Sequence, residues 1–151
     1  MPAASLETPI GPLTVTVEAD AVTQLNWSAG SPGEPSVLLN EALAQLRAYF
    51  ANKLQKFDLP LRPAGSEFHQ QVFKAMLDIP YGETRTYGEI AKQLGTYGQP
   101  VGQACGANPI PVIIPCHRIL SATGLGGYSG AGGADTKIAL LKLEGGYPFL
   151  F

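Results

Sequence analysis

Charge is scarce in this chain. Only 15% of its 151 residues are Asp, Glu, Lys or Arg, and 10 basic side chains are outnumbered by 12 acidic ones. A protein that coats nucleic acid through the phosphates is far more basic. Disorder is also excluded, because 45% of the residues are hydrophobic and the chain is long enough to bury a core. No apolar run approaches the ~20 residues of a membrane span. The first eleven residues lack both the Lys or Arg and the apolar segment of a secretory signal. Cysteine is nearly absent: Cys105 and Cys116 are the only two, and they form no CxxC. Zinc and dithiol redox chemistry therefore have no ligand set. Two free thiols predict a reducing compartment, the cytoplasm. Neither a metal nor any other cofactor is expected. Glycine and proline are plentiful, 18 and 13 residues with no G-X-Y period, and predict a loop-rich globular protein.

The first third reads as strands followed by a helix. Leu13 to Val17 alternates apolar and polar residues, the period of a half-buried strand. A turn over residues 18–21 leads to a second strand over 22–27, and residues 28–35 form a Gly/Ser/Pro loop. Ser36 is placed to cap a helix running to about Leu54, with Leu39, Leu43, Leu46, Phe50 and Leu54 on its apolar face. Residues 59–65, with Pro60, Pro63 and Gly65, read as a linker. It separates two domains, 1–65 and 66–151. The first holds four basic and six acidic side chains and the second six of each, so neither attracts DNA strongly by charge alone.

In the second domain Ser66 caps a helix to Ile79, with Phe68, Val72, Met76 and Ile79 as its stripe and Pro80 as its stop. Thr86-Tyr87-Gly88-Glu89 is a capping box, and the helix it opens ends at Gly95. Pro100 fits the first position of a further short helix. Two short helices around a Gly-containing turn form a helix-turn-helix pattern, which by itself is shared by many proteins without a DNA partner. Asp135 is placed to cap a last helix, with Ile138, Leu140 and Leu141 apolar, running to Glu144. The apolar tail 147–151 is expected to pack on a surface or to cap a core.

Chemistry concentrates in Pro111-Val112-Ile113-Ile114-Pro115-Cys116-His117-Arg118. A thiol attacks as the thiolate, and a nearby imidazole can take its proton. A bare Cys-His pair is more often a buried structural cysteine. Here two prolines fix the approach to Cys116 and a Gly-rich loop, 121–133, follows it.

Ile114-Pro115-Cys116-His117-Arg118 resembles the active-site signature of the O6-alkylguanine-DNA alkyltransferases. Gly102-Gln103-Ala104 with Gly106-Ala107-Asn108-Pro109 is similar to that family's recognition helix and Asn-Pro hinge. Ile79-Pro80-Tyr81-Gly82, Thr86-Tyr87, Gly127-Tyr128-Ser129-Gly130 and Leu143-Glu144-Gly145 follow the family pattern in order. The resemblance spans nearly all of 66–151. It implies an α/β protein: a small N-terminal RNase H-like α/β domain, then a mostly helical domain carrying a winged helix-turn-helix. The partner it implies is alkylated double-stranded DNA, entered from the minor groove with the damaged base flipped out; no membrane and no obligate protein partner is implied. Cys116 would take the alkyl group irreversibly from O6-alkylguanine, with O4-alkylthymine a minor substrate. His117, oriented by Glu144, would accept the thiol proton through a water. Asn108 would brace the loop around Cys116, and Tyr87 would donate to the leaving guanine. Tyr128, Ser129 and the carbonyls of Cys116 and Ile119 would line the pocket, with Cys105 a small filler nearby. Thr86, Tyr87, Gln99, Gly102, Gln103 and Ala104 would face DNA. Arg118 is assigned a structural hydrogen-bonding role.

One position departs from the pattern. The family usually carries an Arg before the recognition helix, in a pattern like Arg-Ala-Val-Gly, and that Arg fills the space of the flipped base. This chain has Gln99-Pro100-Val101-Gly102. Gln is shorter and uncharged, which implies slower repair of duplex DNA; Arg85 could compensate through a phosphate. The same departure admits an alkyltransferase-like damage sensor that flips bases with weak or no transfer. A Cys-His hydrolase and a winged-helix transcription factor explain fewer of these residues.

Overall fold

The structure, a computed structural model, describes residues 2–30, 33–34 and 36–147. It divides into two compact units, Met1–Ala64 and Gly65–Phe151.

The first unit is built on an antiparallel meander of β1 (Ala3–Thr8), β2 (Gly11–Glu18) and β3 (Ala21–Asn26). β2 buries Leu13, Val15 and Val17 on alternate positions, as its sequence period requires. Ala19 and Asp20 both take positive φ, 43° and 67°, the backbone that a two-residue hairpin needs. β1 is an addition to the sequence reading. Its sequence, AASLET, has one large apolar residue and no strand period, and pairing with β2 creates it, Leu6 opposite Leu13. The helix α1 (Val37–Phe50) starts at Ser36, whose hydroxyl accepts from Leu39 N–H at 3.3 Å. It stops four residues before Leu54 because Asn52 turns left-handed (φ 60°). The Lys53 N–H then bonds the Ala48 carbonyl and the Asn52 N–H the Tyr49 carbonyl, a Schellman closure. Leu39, Ala42, Leu43, Leu46 and Tyr49 are its buried residues; Tyr49 takes the place expected of Phe50. The expected linker is not free chain. Leu61 bridges Val22 in parallel, with Val22 N–H to Pro60 O and Arg62 N–H to Val22 O, both at 2.9 Å. In the expected loop over 28–35, Ser31, Pro32 and Pro35 lie outside the described residues.

The second unit opens with α2 (Glu67–Leu77), capped by Ser66 through His69 N–H and ending two residues short of Ile79. Then come β4 (Arg85–Thr86), α3 (Tyr87–Leu94) and α4 (Gly98–Gly106). The capping box at α3 is complete: Glu89 N–H donates to Thr86 Oγ1 at 3.0 Å, and Thr86 N–H to Glu89 Oε1 at 2.9 Å. Gly95, at φ 69°, closes that helix in the left-handed region. α4 begins two residues earlier than expected. Pro100 is its third residue, where the missing N–H still costs nothing because the first turn has no internal acceptor. Gln99 is thus inside α4 rather than ahead of it. A single 3-10 turn, Cys116–Arg118, leads into β5 (Ile119–Leu120), which pairs in parallel with β4. α5 (Ala134–Leu143) is capped by Gly133 rather than Asp135, which sits in its first turn, and Glu144 is its C-terminal cap. Val72, Phe73, Met76, Ile90, Val101, Ile110, Ile114, Ile119, Leu140 and Leu141 form the core. The tail expected to pack at 147–151 lies outside the described residues from Pro148 onward. Among the described residues no helix is long and apolar enough to cross a membrane.

Candidate active site

Pairing of β4 with β5 sets Thr86 beside Leu120, and so brings the start of α3 next to the turn that carries Cys116. The approach to that turn is buried from Ile110 to Leu120. Buried backbone needs partners, and Asn108 supplies two: its amide nitrogen donates to Ile114 O at 2.8 Å, and its amide oxygen accepts from Ile110 N–H at 3.0 Å. Between them Val112 is held at φ 71°, in a γ-turn closed by Ile113 N–H to Pro111 O at 2.9 Å. A β-branched residue rarely adopts this conformation, which costs on the order of 1–3 kcal/mol. Pro115 then turns the chain so that Cys116 N–H bonds Ile114 O at 2.8 Å.

Cys116 opens onto a cavity of about 300 Å³ lined by Tyr87, Gly102, Cys105, Gly106, Gly127, Tyr128 and Ser129. The volume lies at the small end of organic-ligand sites. Burial pushes the Cys116 thiol up, while hydrogen bonding from Asn108, the Lys137 charge and Tyr128 oppose the rise. At rest the sulfur is therefore a thiol that must give up a proton to react. Cys105 is different. Burial and the neighbouring Cys116 push its thiol up to about 12, and its sulfur lies 4.0 Å from the Met76 sulfur. Burial also raises the Tyr87 phenol to about 12, so at neutral pH it is a proton donor facing the cavity.

Behind the sulfur lies a buried polar cluster. His117 Nε2 and Glu144 Oε2 are 2.8 Å apart. Arg118 grips the same carboxylate with two bonds of 2.9 Å, and its third nitrogen donates to Ile79 O at 2.7 Å. Burial alone would raise the Glu144 carboxyl, but the bonds from His117 and Arg118 outweigh it and hold the group at about 2. Glu144 is thus a carboxylate, which only accepts, so His117 carries its ring proton on Nε2. Burial lowers the imidazole, with Glu144 opposing, so it rests neutral. The remaining nitrogen, Nδ1, is buried and has no hydrogen-bond partner among the described residues. It is a free base on the residue next to Cys116.

Sequence reasoning missed Lys137. Lysines are mostly exposed, yet this one is fully buried on α5. Its ammonium donates to Ile119 O at 2.6 Å and Gly127 O at 3.0 Å and lies 5.8 Å from the centre of the Tyr87 ring. Burial pulls it down to about 8, with the two cysteine sulfurs opposing. No sequence signal marks it, since position 137 reads as an ordinary helix-surface residue until α5 is docked.

The remaining expected residues divide. Asn108, Cys116, His117, Glu144, Tyr87, Tyr128, Ser129 and Cys105 come together at or behind the cavity, as does Gly102. Thr86 is occupied by its capping bonds. Gln99 and Gln103 are exposed on α4. Ala104 does not face DNA: it is fully buried, because it falls on the side of α4 that packs inward. Ile119 does not line the cavity, and its carbonyl is taken by Lys137. Arg85 bonds Glu83 at 3.2 Å and Thr84 O at 2.9 Å, so phosphate contact would compete with local partners. Among the described residues no group of three His, Cys, Asp or Glu could hold a metal.

Two family models match the chain. One describes the ribonuclease-like domain of 6-O-methylguanine DNA methyltransferase and matches residues 1–63; the other describes its DNA binding domain and matches residues 67–146. The chain is similar to the methylated-DNA–protein-cysteine methyltransferase of Methanosarcina acetivorans, 44% identical over 94% of this chain and 97% of that protein. It is also similar to the protein of that name from Mycobacterium tuberculosis, 44% identical over 93% of this chain and 90% of that protein. Its fold matches the crystal structure of M. tuberculosis OGT in complex with DNA, with TM-score 0.86 and 44% identity over 96% of this chain and 93% of that one.

Proposed function

The chain belongs to the 6-O-methylguanine DNA methyltransferase family, with a ribonuclease-like domain followed by a DNA-binding one, and from that premise we propose that Cys116 is the acceptor of the alkyl group it removes from DNA. The activity is direct repair, a transfer from the O6 of an alkylated guanine to protein cysteine. The observation that carries the assignment is the cavity that exposes one activatable sulfur beside a neutral imidazole whose Nδ1 is free.

The base enters the cavity between Tyr87 and the 127–129 loop. The Cys116 proton passes to His117 Nδ1, through a bridging water, as sulfur attacks the alkyl carbon. The imidazolium that forms is stabilised by the Glu144 carboxylate, itself fixed by Arg118. The carbon–O6 bond breaks, and its electron pair leaves on guanine, which Tyr87 protonates; the proton held on His117 then returns to Tyr87 through water, so the sulfur's proton ends on guanine. The net exchange is an alkyl group gained and a proton lost by sulfur. Lys137 contributes a positive charge that favours the thiolate. The thioether has no group nearby to cleave it, so each molecule turns over once. O4-alkylthymine is a minor substrate in this reading. DNA is approached from the minor groove by α4, and the reducing cytoplasm keeps Cys116 as a thiol. A sensor that binds without transfer is disfavoured, because Cys116 is present and lines the cavity.

Incubation with a duplex bearing one O6-methylguanine tests the assignment. The expected result is a mass gain of one methyl on the peptide containing Cys116, absent in Cys116→Ser. Methyl on another residue, or binding without mass gain, would overturn it.

A further inference from the structure

A base drawn into the cavity leaves a hole in the stack, and proteins that open DNA from the minor groove fill such holes with a wedge of apolar or aromatic surface. The wedge must be large, exposed and close to the cavity mouth. Among the described residues three large hydrophobic side chains are exposed: Val37 (89%), Leu77 (43%) and Tyr97 (81%). Val37 belongs to the first unit, and Leu77 ends α2, which does not line the cavity. Tyr97 is the residue from which α4 springs, and α4 supplies Gly102, Cys105 and Gly106 to the cavity wall.

We propose that Tyr97 is the plug that enters the duplex as the alkylated base leaves it. This deepens the repair reading and rests on it. Tyr97 makes no capping bond through its side chain, and the ring lies open to solvent, free to meet a partner. At 1.5 Å per residue it stands about 7–8 Å along the helix from Gly102, roughly two base steps from the cavity wall. Gly98, the residue after Tyr97, and Gly102 both lie against Tyr87, where added Cβ atoms would stand 3.8 and 4.0 Å from that side chain, so the start of α4 sits beside a residue that lines the cavity. No charged residue stands on α4. Gln99, the exposed polar neighbour, has no flat apolar face to offer a stack. Tyr97 has one, and an aromatic ring accepts any neighbouring base.

The test compares single-turnover transfer from a duplex containing O6-methylguanine with transfer from free O6-benzylguanine, which has no stack to fill. Removing one base–aromatic contact is worth roughly 5- to 150-fold. Tyr97→Ala is therefore expected to lower the duplex-to-free-base rate ratio at least fivefold, while Tyr97→Phe and Tyr97→Trp keep the wild-type ratio. A 2-aminopurine beside the lesion should be more quenched in the wild-type complex than with Tyr97→Ala. An unchanged ratio in Tyr97→Ala overturns the proposal, as does a Tyr97→Phe variant that matches Tyr97→Ala, which would assign the effect to the hydroxyl. Failure of the wild type on both substrates would overturn the repair reading itself, and this proposal with it.

Discussion

Replacing Glu144 with Gln keeps the shape of the side chain and deletes its charge. The loss can be worked from the carboxyl's own titration. Its fall from 4.5 to about 2, at about 1.4 kcal/mol for each tenfold in proton affinity, corresponds to about 3 kcal/mol of folding stability. The folded value is the lower one, so this contribution is complete above pH ~4.5 and is lost as pH falls toward 2. His117 acts in the same direction over a higher range. Burial lowers its folded pKa, so below its ordinary 6.5 the unfolded chain binds a proton that the folded chain does not. Wild-type stability should therefore decline from pH 6.5 downward. In Glu144→Gln the lower part of that decline disappears. The whole curve starts about 3 kcal/mol lower or more, because the Arg118 guanidinium remains buried without its counter-ion. Chemistry suffers separately. An amide that turns its NH2 toward His117 forces Nε2 to accept, which moves the ring proton to Nδ1 and removes the base. Loss of tautomer control of this kind costs on the order of 10²- to 10⁴-fold in rate. Denaturant unfolding between pH 2 and 8, beside rapid-quench methyl transfer, measures both effects. A variant with the wild-type acid profile and a transfer rate within threefold of wild type would refute the reasoning.

Gln99→Arg should accelerate transfer from duplex and steepen the salt dependence of binding by about one counterion, starting from the shallow slope expected of a chain with net charge −2; no gain on duplex removes Gln99 as a limit. Lys137→Met should move the pH profile of Cys116 alkylation by iodoacetamide upward by about one pH unit or more, since the sulfur loses the positive charge that favours its thiolate; an unmoved profile would make Lys137 a purely structural tie between Ile119 and Gly127. The wild-type profile should flatten above pH 8, where the Lys137 ammonium itself discharges.

What could be read beforehand follows from how local each signal is. α3 is legible at both ends because Thr86, Glu89 and Gly95 act within one turn. α4 misleads at its start, because Pro100 suits any position of a first turn and Tyr97 gives no capping signal. α1 overran because Asn52, which ends it, is an ordinary polar residue until its φ is known. β1, β4 and β5 are invisible since partners, not residues, create them. At the site, Cys116 and His117 are neighbours, but Glu144 is joined to them only through a motif resemblance. Arg118's double grip on Glu144 and the burial of Lys137 depend on where α5 docks, which no local pattern encodes.

Val112 carries one more implication. In an unfolded chain this valine relaxes to extended backbone, and the bend that aims the sulfur vanishes with it. A short peptide spanning 110–120 therefore holds an unremarkable thiol, however faithful its sequence. Reactivity toward an alkylated base is thus an attribute of the closed molecule, and a nascent or heat-loosened copy carries only the ordinary chemistry of an exposed thiol.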